Sequence, residues 1–131
     1  MKTVLLLAGI MLPLIMFAQS KKDSSVQDTG FVPVNLWFVM LVKGNNRTQD
    51  SVTAAKIQEG HLANIGKLAK EGKIIAAGPF LDDTNWRGIF IMKCRDQKEC
   101  EELLKSDPAV ATGRLGYEIH PWMTGKNCLF Q

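Results

Sequence analysis

Two histidines are the side chains of this sequence best suited to moving a proton near neutral pH. His61 lies between Ile57 and Ile65 at helical spacing, so it falls on the apolar side of a predicted helix. In that position its imidazole is either a general acid or base beside an apolar pocket, or a core side chain with satisfied hydrogen bonds. His120 falls near the end of a predicted strand, where we expect an exposed, solvated side chain.

Other side chains are candidates for a binding or catalytic site, and each also has a plainer explanation. Asp107 precedes a proline at a predicted helix end, so it caps a turn, takes part in chemistry, or does both. Gly78 and Pro79 either shape a pocket wall, because glycine lets a ligand approach the backbone, or simply end a strand. Trp86 and Trp122 either stack on a planar ligand or fill an interface between subunits.

The sequence carries no pattern for a metal, a bound phosphate or a covalent nucleophile. Its three cysteines, Cys94, Cys100 and Cys128, form no CxxC motif and have no histidine at ligand spacing. We therefore predict no metal and no cofactor. Hydrolysis through an acyl-enzyme is disfavoured, and proton transfer is the chemistry that the residues permit.

An odd number of cysteines allows at most one disulfide within the chain. Cys94 and Cys100 are the favoured pair if one forms, because a strand end and the first turn of the next helix can lie close together. The alternative is that all three remain thiols.

The overall composition is that of one globular domain of ordinary size. The 131 residues are 46% hydrophobic and 22% charged, with a formal net charge of +3. Because the basic residues are scattered and not clustered, we expect no nucleic-acid partner.

The first residues have the pattern of a signal peptide. Lys2 precedes an apolar run from Val4 to Ala18, and polar residues follow it. The run is shorter than the roughly 20 apolar residues of a membrane span. We therefore predict a signal peptide at residues 1–18, export to the periplasm or medium, and no stable membrane span after cleavage; an uncleaved anchor is the alternative. Residues 19–34 have few large apolar side chains before Phe31, and we predict that they form a flexible linker.

The remaining chain alternates between strand and helix patterns. Its first strand is a nearly continuous apolar run, its first helix has an apolar stripe, and its turns are rich in Gly, Pro, Asn and Asp. The predicted elements are strands at Asn35–Lys43, Lys73–Phe80, Arg87–Cys94 and Leu115–His120, and helices at Asp50–Glu71 and Gln97 to about Ser106. This order, β-α-β-β-α-β, predicts an α+β, ferredoxin-like fold with an antiparallel sheet and helices on one face.

Such a sheet has a second face that also needs a cover. The first strand is apolar on both faces, which indicates that this second face is not exposed to solvent. We therefore expect a homodimer in which two sheets face each other.

Several short motifs resemble those of the YCII-related (YciI-like) family. Lys56 to Phe80 reads KIQEGHLANIGKLAKEGKIIAAGPF, with His-Leu in the first helix and Gly-Pro at the end of the second strand. Asp-Pro follows the second helix and Pro-Trp follows the last strand. The resemblance covers residues 35–123, and residues 124–131 are left as a C-terminal tail.

The resemblance implies a dimeric α/β barrel with a pocket in each subunit and a histidine and an aspartate as its active pair. His61 and Asp107 match that pair by position. Where the family's chemistry is assigned it concerns small ring compounds, as in a dehydrochlorinase of chlorinated hydroxyquinols. The expectation is an exported, enzyme-like protein in which His61 and Asp107 perform a lyase, isomerase or dehalogenation step on a small-molecule ligand bound near Gly78, Pro79 and Trp122. A non-catalytic binding module that uses the same pocket is the alternative.

Overall fold

A computed structural model of the chain describes residues 30–128. The predicted signal peptide at residues 1–18 and most of the predicted linker lie outside the described residues. In chain order the elements are β1 (Pro33–Lys43), α1 (Ser51–Lys70), β2 (Ile74–Pro79), β3 (Trp86–Met92), α2 (Gln97–Lys105), α3 (Pro108–Ala111), β4 (Leu115–Gly125) and a short 3-10 turn (Lys126–Cys128).

The four strands form one antiparallel sheet in the order β2-β3-β1-β4. The long, apolar β1 is central, because it pairs with β3 on one side and with β4 on the other. Its pairing with β4 runs without a bulge from Pro33 opposite Gly125 to Lys43 opposite Leu115. The predicted α+β, ferredoxin-like fold is therefore confirmed.

The hydrophobic core lies between one face of this sheet and the helices. Alternate residues of the central strands, such as Val39 and Phe90, are buried there against Leu68 of α1 and Leu104 of α2. Because side chains alternate along a strand, the intervening residues point to the opposite face. On β1 these are Leu36, Phe38, Met40 and Val42, and β3 contributes Ile89 and Ile91 beside them.

Two strands extend further than the sequence predicts. β1 begins at Pro33, so residues 33 and 34 belong to the sheet and not to the predicted linker. β4 continues past His120 to Gly125, so residues 124 and 125 belong to the sheet and not to the predicted tail. Pro121 does not stop β4, because an edge strand can carry a residue that lacks a backbone N–H.

A short helix that the sequence analysis missed follows α2. The sequence places Asp107 and Pro108 at the end of a predicted helix and predicts no helix after them, yet Pro108 is the first residue of α3. Proline suits that position, because its fixed φ is helical and the missing N–H would have no partner within the helix. Of the helices in the described part of the chain, none has the length and apolar character that a bilayer crossing requires.

Candidate functional site

His61 lies in the middle of α1 with its side chain turned into the protein. Asp50 starts this helix as its N-cap by accepting a hydrogen bond from the Thr53 backbone N–H at 2.8 Å. Gly72, with φ +69°, provides the left-handed residue just beyond the C-cap. On the buried side of α1, His61 is 8% exposed, and its ring stacks on the ring of Phe90 with the two centroids 6.1 Å apart.

Asp107 lies directly behind His61 and is 1% exposed. Its Oδ2 lies 2.7 Å from Nδ1 of His61 and also accepts a hydrogen bond from the Asn64 side-chain amide at 3.4 Å. Its Oδ1 accepts a hydrogen bond from the Ala109 backbone N–H at 2.8 Å and so caps α3. The capping explanation and the pairing with His61 therefore both hold, each through its own carboxylate oxygen.

Close packing between α1 and α3 brings this pair together. A Cβ added at Gly60 would lie 2.9 Å from Cγ of Pro108, so only glycine leaves room for α3 at this distance. Gly66, in the same helix, has no atom within 4 Å of the place where its Cβ would be. Glycine lowers the stability of a helix, and at Gly60 the close approach of α3 explains why a glycine is present. At Gly66 no such contact exists among the described residues.

The hydrogen bond to Asp107 determines which ring nitrogen of His61 is free. An ionised carboxylate can only accept hydrogen bonds, so Nδ1 carries the hydrogen and Nε2 of a neutral ring carries a lone pair. Within residues 30–128, Nε2 has no hydrogen-bond partner, and no buried side-chain nitrogen or oxygen is left unpaired. Nε2 is therefore not buried but reaches the open space beside the ring.

That space is a cavity of about 380 Å³ between α1 and the sheet. The volume is within the range of small-molecule binding sites. Its wall comprises Leu41, Arg47, Gln58, His61, Leu62, Ile65, Ala77, Gly78, Pro79, Arg87, Gly88, Phe90, Arg114 and Leu115. The structure thus brings His61, Gly78 and Pro79 to one cavity, with Asp107 behind the histidine.

Trp122 is not part of this cavity, which corrects its prediction as a substrate-binding residue of the same site. It pairs with Leu36 in the sheet and therefore points to the face away from α1 and α2. There it lines a separate depression together with Leu36, Pro121 and Met123. Its side chain is 39% exposed.

The cavity also contains three arginines that the sequence analysis did not select. Arg47 lies in the loop after β1, Arg87 lies near the start of β3, and Arg114 immediately precedes β4. They are separated by 40 and 27 residues in the sequence, so no local motif marks them. Only the pairing of β1 with β3 and β4 brings their positions together.

The three cysteines are free thiols in the structure, so the alternative without a disulfide holds there. Cys100 is fully buried and donates a hydrogen bond to the Met92 sulfur at 3.6 Å. Burial raises the pKa of its thiol to about 12, and burial also raises the pKa of Cys94. Within the described residues no group of three or more histidine, cysteine and acidic side chains is placed to hold a metal ion.

Comparison with known proteins gives one family and a structural neighbour. The sequence model of the YCII-related domain matches residues 36–123. A 5-chloro-2-hydroxyhydroquinone dehydrochlorinase from Burkholderia phenoliruptrix, solved in complex with 2,5-dihydroxybenzoquinone, is similar in fold, with a TM-score of 0.50 and 24% sequence identity. The alignment covers 70% of this chain and 97% of that one. No curated protein matches the sequence.

Proposed function

The chain belongs to the YCII-related domain family, and from that premise we propose that its His61–Asp107 pair performs general acid/base chemistry on a small cyclic or aromatic compound. The reaction would be of the lyase, isomerase or dehalogenation type. The observation that carries this proposal is the 2.7 Å contact between Asp107 Oδ2 and His61 Nδ1, which leaves Nε2 to the cavity.

Each residue of the pair has a distinct part in this chemistry. Nε2 of the neutral ring accepts a proton from the substrate, and the carboxylate of Asp107 stabilises the imidazolium that results. In a dehydrohalogenation, the electron pair of the broken bond to hydrogen moves into the ring system and the halide leaves with its own bonding pair. The proton then passes from Nε2 to solvent, and the neutral histidine is restored.

The structural neighbour supports the choice of substrate class. That protein is a dehydrochlorinase with a hydroxylated quinone bound to it, and it shares the fold of this chain. The cavity of about 380 Å³ beside His61 is large enough for one such ring. Phe90, stacked against the His61 ring, gives the cavity an aromatic wall.

Chloride release from 5-chloro-2-hydroxyhydroquinone tests the proposal. His61→Gln should reduce the rate of release by a factor of about 10² or more, as expected for the loss of a general acid or base. His120→Gln is the matched control for the loss of an imidazole, because His120 does not line the cavity and pairs with Phe38 on the opposite face of the sheet; its oligomeric state is compared with that of the wild type. Equal rates for the wild type and His61→Gln would rule out the proposed role of His61.

The same assay separates catalysis from simple binding. A non-catalytic binding module would hold the ring compound with no acceleration of its breakdown, and its affinity would survive His61→Ala. The free Nε2 argues against a histidine that only fills the core, because such a side chain has no need of an unpaired ring nitrogen, and the dependence of chloride release on His61 then decides between catalysis and binding.

We further propose that a second copy of the chain covers the sheet face that points away from α1 and α2. Leu36, Phe38, Met40 and Ile91 give this face an apolar centre, and Trp122 extends it onto the edge strand. Two such faces in contact would form the dimeric α/β barrel that the family resemblance implies. Leu36 and Ile91 are already buried in the single chain, but Phe38 and Met40 are only half-buried and Trp122 is exposed, and such apolar area is costly to leave in water.

Export is also part of the proposal, and it rests on the sequence of residues 1–18. The apolar run after Lys2 and the polar residues that follow Ala18 support cleavage between Ala18 and Gln19. Mass spectrometry of the N-terminus of protein from the periplasm or medium should find Gln19 first. Recovery of the intact chain in a membrane fraction would favour the uncleaved anchor.

A further inference from the structure

The arginines of the cavity point to the charge of its ligand. We infer that the cavity selects a ring compound carrying an ionised oxygen group, a carboxylate or a phenolate, and that Arg47 and Arg114 bind that group. This inference deepens the function proposed for the same cavity and rests on it.

The charges around the cavity are all of one sign. Arg47, Arg87 and Arg114 contribute to its wall, and none of the described residues that line it is acidic. Asp107 is not among the lining residues, since it lies behind the His61 ring. A partly enclosed space with several guanidinium groups and no carboxylate favours an anion, because the half-buried Arg87 and Arg114 act there through less water than at an open surface.

Arg87 already has a partner outside the cavity. Its Nη1 lies 3.1 Å from Oδ1 of Asp83, and Nζ of Lys43 lies 3.2 Å from the same oxygen. Hydrogen bonds and charge interactions with Lys43 and Arg87 lower the pKa of Asp83, so this carboxylate stays ionised at neutral pH. The charge of Arg87 is therefore partly balanced without a ligand, by a carboxylate that it shares with Lys43.

Arg47 and Arg114 have no such balance. Nη1 of Arg47 donates to the backbone carbonyl of Arg114 at 3.1 Å, and Nη1 of Arg114 donates to the Gln49 side-chain oxygen at 3.1 Å. Both acceptors are neutral, and in the described part of the chain neither guanidinium has a carboxylate within ion-pair distance. A guanidinium carries five N–H donors, so each retains donors for a ligand oxygen.

The loop that carries Arg47 is fixed to the segment that carries Arg114. The Asn46 backbone N–H donates to the Gly113 carbonyl at 3.0 Å, and the Gly44 N–H donates to the Arg114 carbonyl at 3.0 Å. The Asn46 side-chain amide adds a bond to the Thr112 carbonyl at 3.0 Å. The two arginines are therefore held in place before a ligand arrives, which lowers the entropic cost of binding.

Calorimetric binding of matched probes to the full chain tests the inference. Benzoate and benzamide have nearly the same shape, and only benzoate is charged; 4-nitrophenolate and 4-nitroanisole at alkaline pH form the corresponding phenolate pair. In at least one pair the charged probe should bind more tightly than its neutral partner, and added NaCl should weaken that binding. The pair with the larger difference in affinity shows whether the site prefers a carboxylate or a phenolate. No measurable binding of either anion, or equal affinity within both pairs, would overturn the inference.

Variants assign the effect to residues. Arg47→Gln and Arg114→Gln should each weaken binding of the preferred anion by roughly ten- to a hundredfold, as expected for a charge-assisted hydrogen bond, and leave the neutral probe unchanged. Arg95→Gln is the control with the same change in net charge, because Arg95 pairs with Asp96 away from this cavity. Unchanged anion affinity in both cavity variants would overturn the assignment, and the NaCl dependence of the wild type tests the charge preference even if a variant fails to fold.

The two proposals fail in distinguishable ways. If chloride release does not depend on His61 but the preference for anions persists, the catalytic proposal fails and the anion site stands. If chloride release depends on His61 but neutral probes bind as well as anions, the anion site fails and the catalytic proposal stands.

Discussion

Asp107 performs two tasks with one carboxylate. Oδ1 caps α3 through the Ala109 N–H, and Oδ2 holds Nδ1 of His61. Because different oxygens are used, the capping role and the proposed chemical role of Asp107 can be separated by substitution.

Asp107→Asn should reduce chloride release strongly and leave the fold intact. Asparagine caps helices as well as aspartate, so its oxygen can still accept from Ala109 N–H. Its amide NH₂ would then face Nδ1 of His61 and favour the tautomer with hydrogen on Nε2, which costs a factor of about 10² to 10⁴ in comparable sites. Asp107→Ala, by contrast, should also lose about 0.5–2 kcal/mol of stability with the cap in urea unfolding. Full activity in Asp107→Asn would contradict the role given to Oδ2.

The cysteines should differ sharply in their reactivity. The thiolate is the reactive form, and the raised pKa values of Cys94 and Cys100 keep both as thiols at neutral and mildly alkaline pH. Cys128 is exposed. Iodoacetamide at mildly alkaline pH should therefore add one carbamidomethyl group to the native chain and three to the unfolded chain, as measured by mass spectrometry. Labelling of Cys100 at the rate of Cys128 would show that its thiol is not shielded.

At the scale of single residues, part of the candidate site could be predicted from the sequence. The helical spacing around His61 and the proline after Asp107 selected both residues, although only the family resemblance paired them. Arg47 and Arg114 could not be found this way, because isolated arginines at loop ends carry no local signal until the strands are paired. Trp122 was assigned to the wrong face of the sheet. Alternate residues of a strand point to opposite faces, and which face Trp122 takes depends on the pairing of β4 with β1, which the sequence alone does not give.

The helices and strands could be predicted from the sequence where short segments, such as a capping residue or a terminal glycine, mark their ends. The helix predicted at Asp50–Glu71 agrees with α1, which Asp50 caps and Gly72 follows, and Asp96 caps α2 by accepting from the Glu99 N–H. The extensions of β1 and β4 were missed because pairing with a long neighbour holds Pro33 and Pro121 in the sheet against their own preference. The four-residue α3 was missed because one turn has no periodicity to read.

Two glycines of α1 should respond to alanine in opposite directions. Gly60→Ala gains helix propensity but forces Pro108 and α3 away, so it should destabilise by about 1–3 kcal/mol and weaken the His61–Asp107 contact. Gly66→Ala meets no atom within 4 Å and should stabilise by up to about 1 kcal/mol. Urea unfolding of the two variants measures both changes. Equal stabilisation by the two substitutions would show that α3 does not pack on Gly60 in solution.

At the scale of the whole molecule, the proposed dimer should depend on the sheet face that carries Trp122. Trp122→Ala should weaken the dimer at least tenfold, because buried aromatic residues contribute most to such interfaces. Val52→Ala is the matched control, since Val52 is 65% exposed on α1. Size-exclusion chromatography with light scattering gives both masses. A monomer for the wild type at every concentration would contradict the dimer.

The proposed function depends on whether His61 moves a proton on a bound ring. The most direct measurement follows, by NMR in D₂O, the replacement of the ring hydrogens of 2,5-dihydroxybenzoquinone by deuterium. We predict that the wild-type protein accelerates this exchange and that His61→Gln, with its fold verified by circular dichroism, loses the acceleration while His120→Gln keeps it. Exchange at the same rate with the wild type and His61→Gln would contradict the central claim.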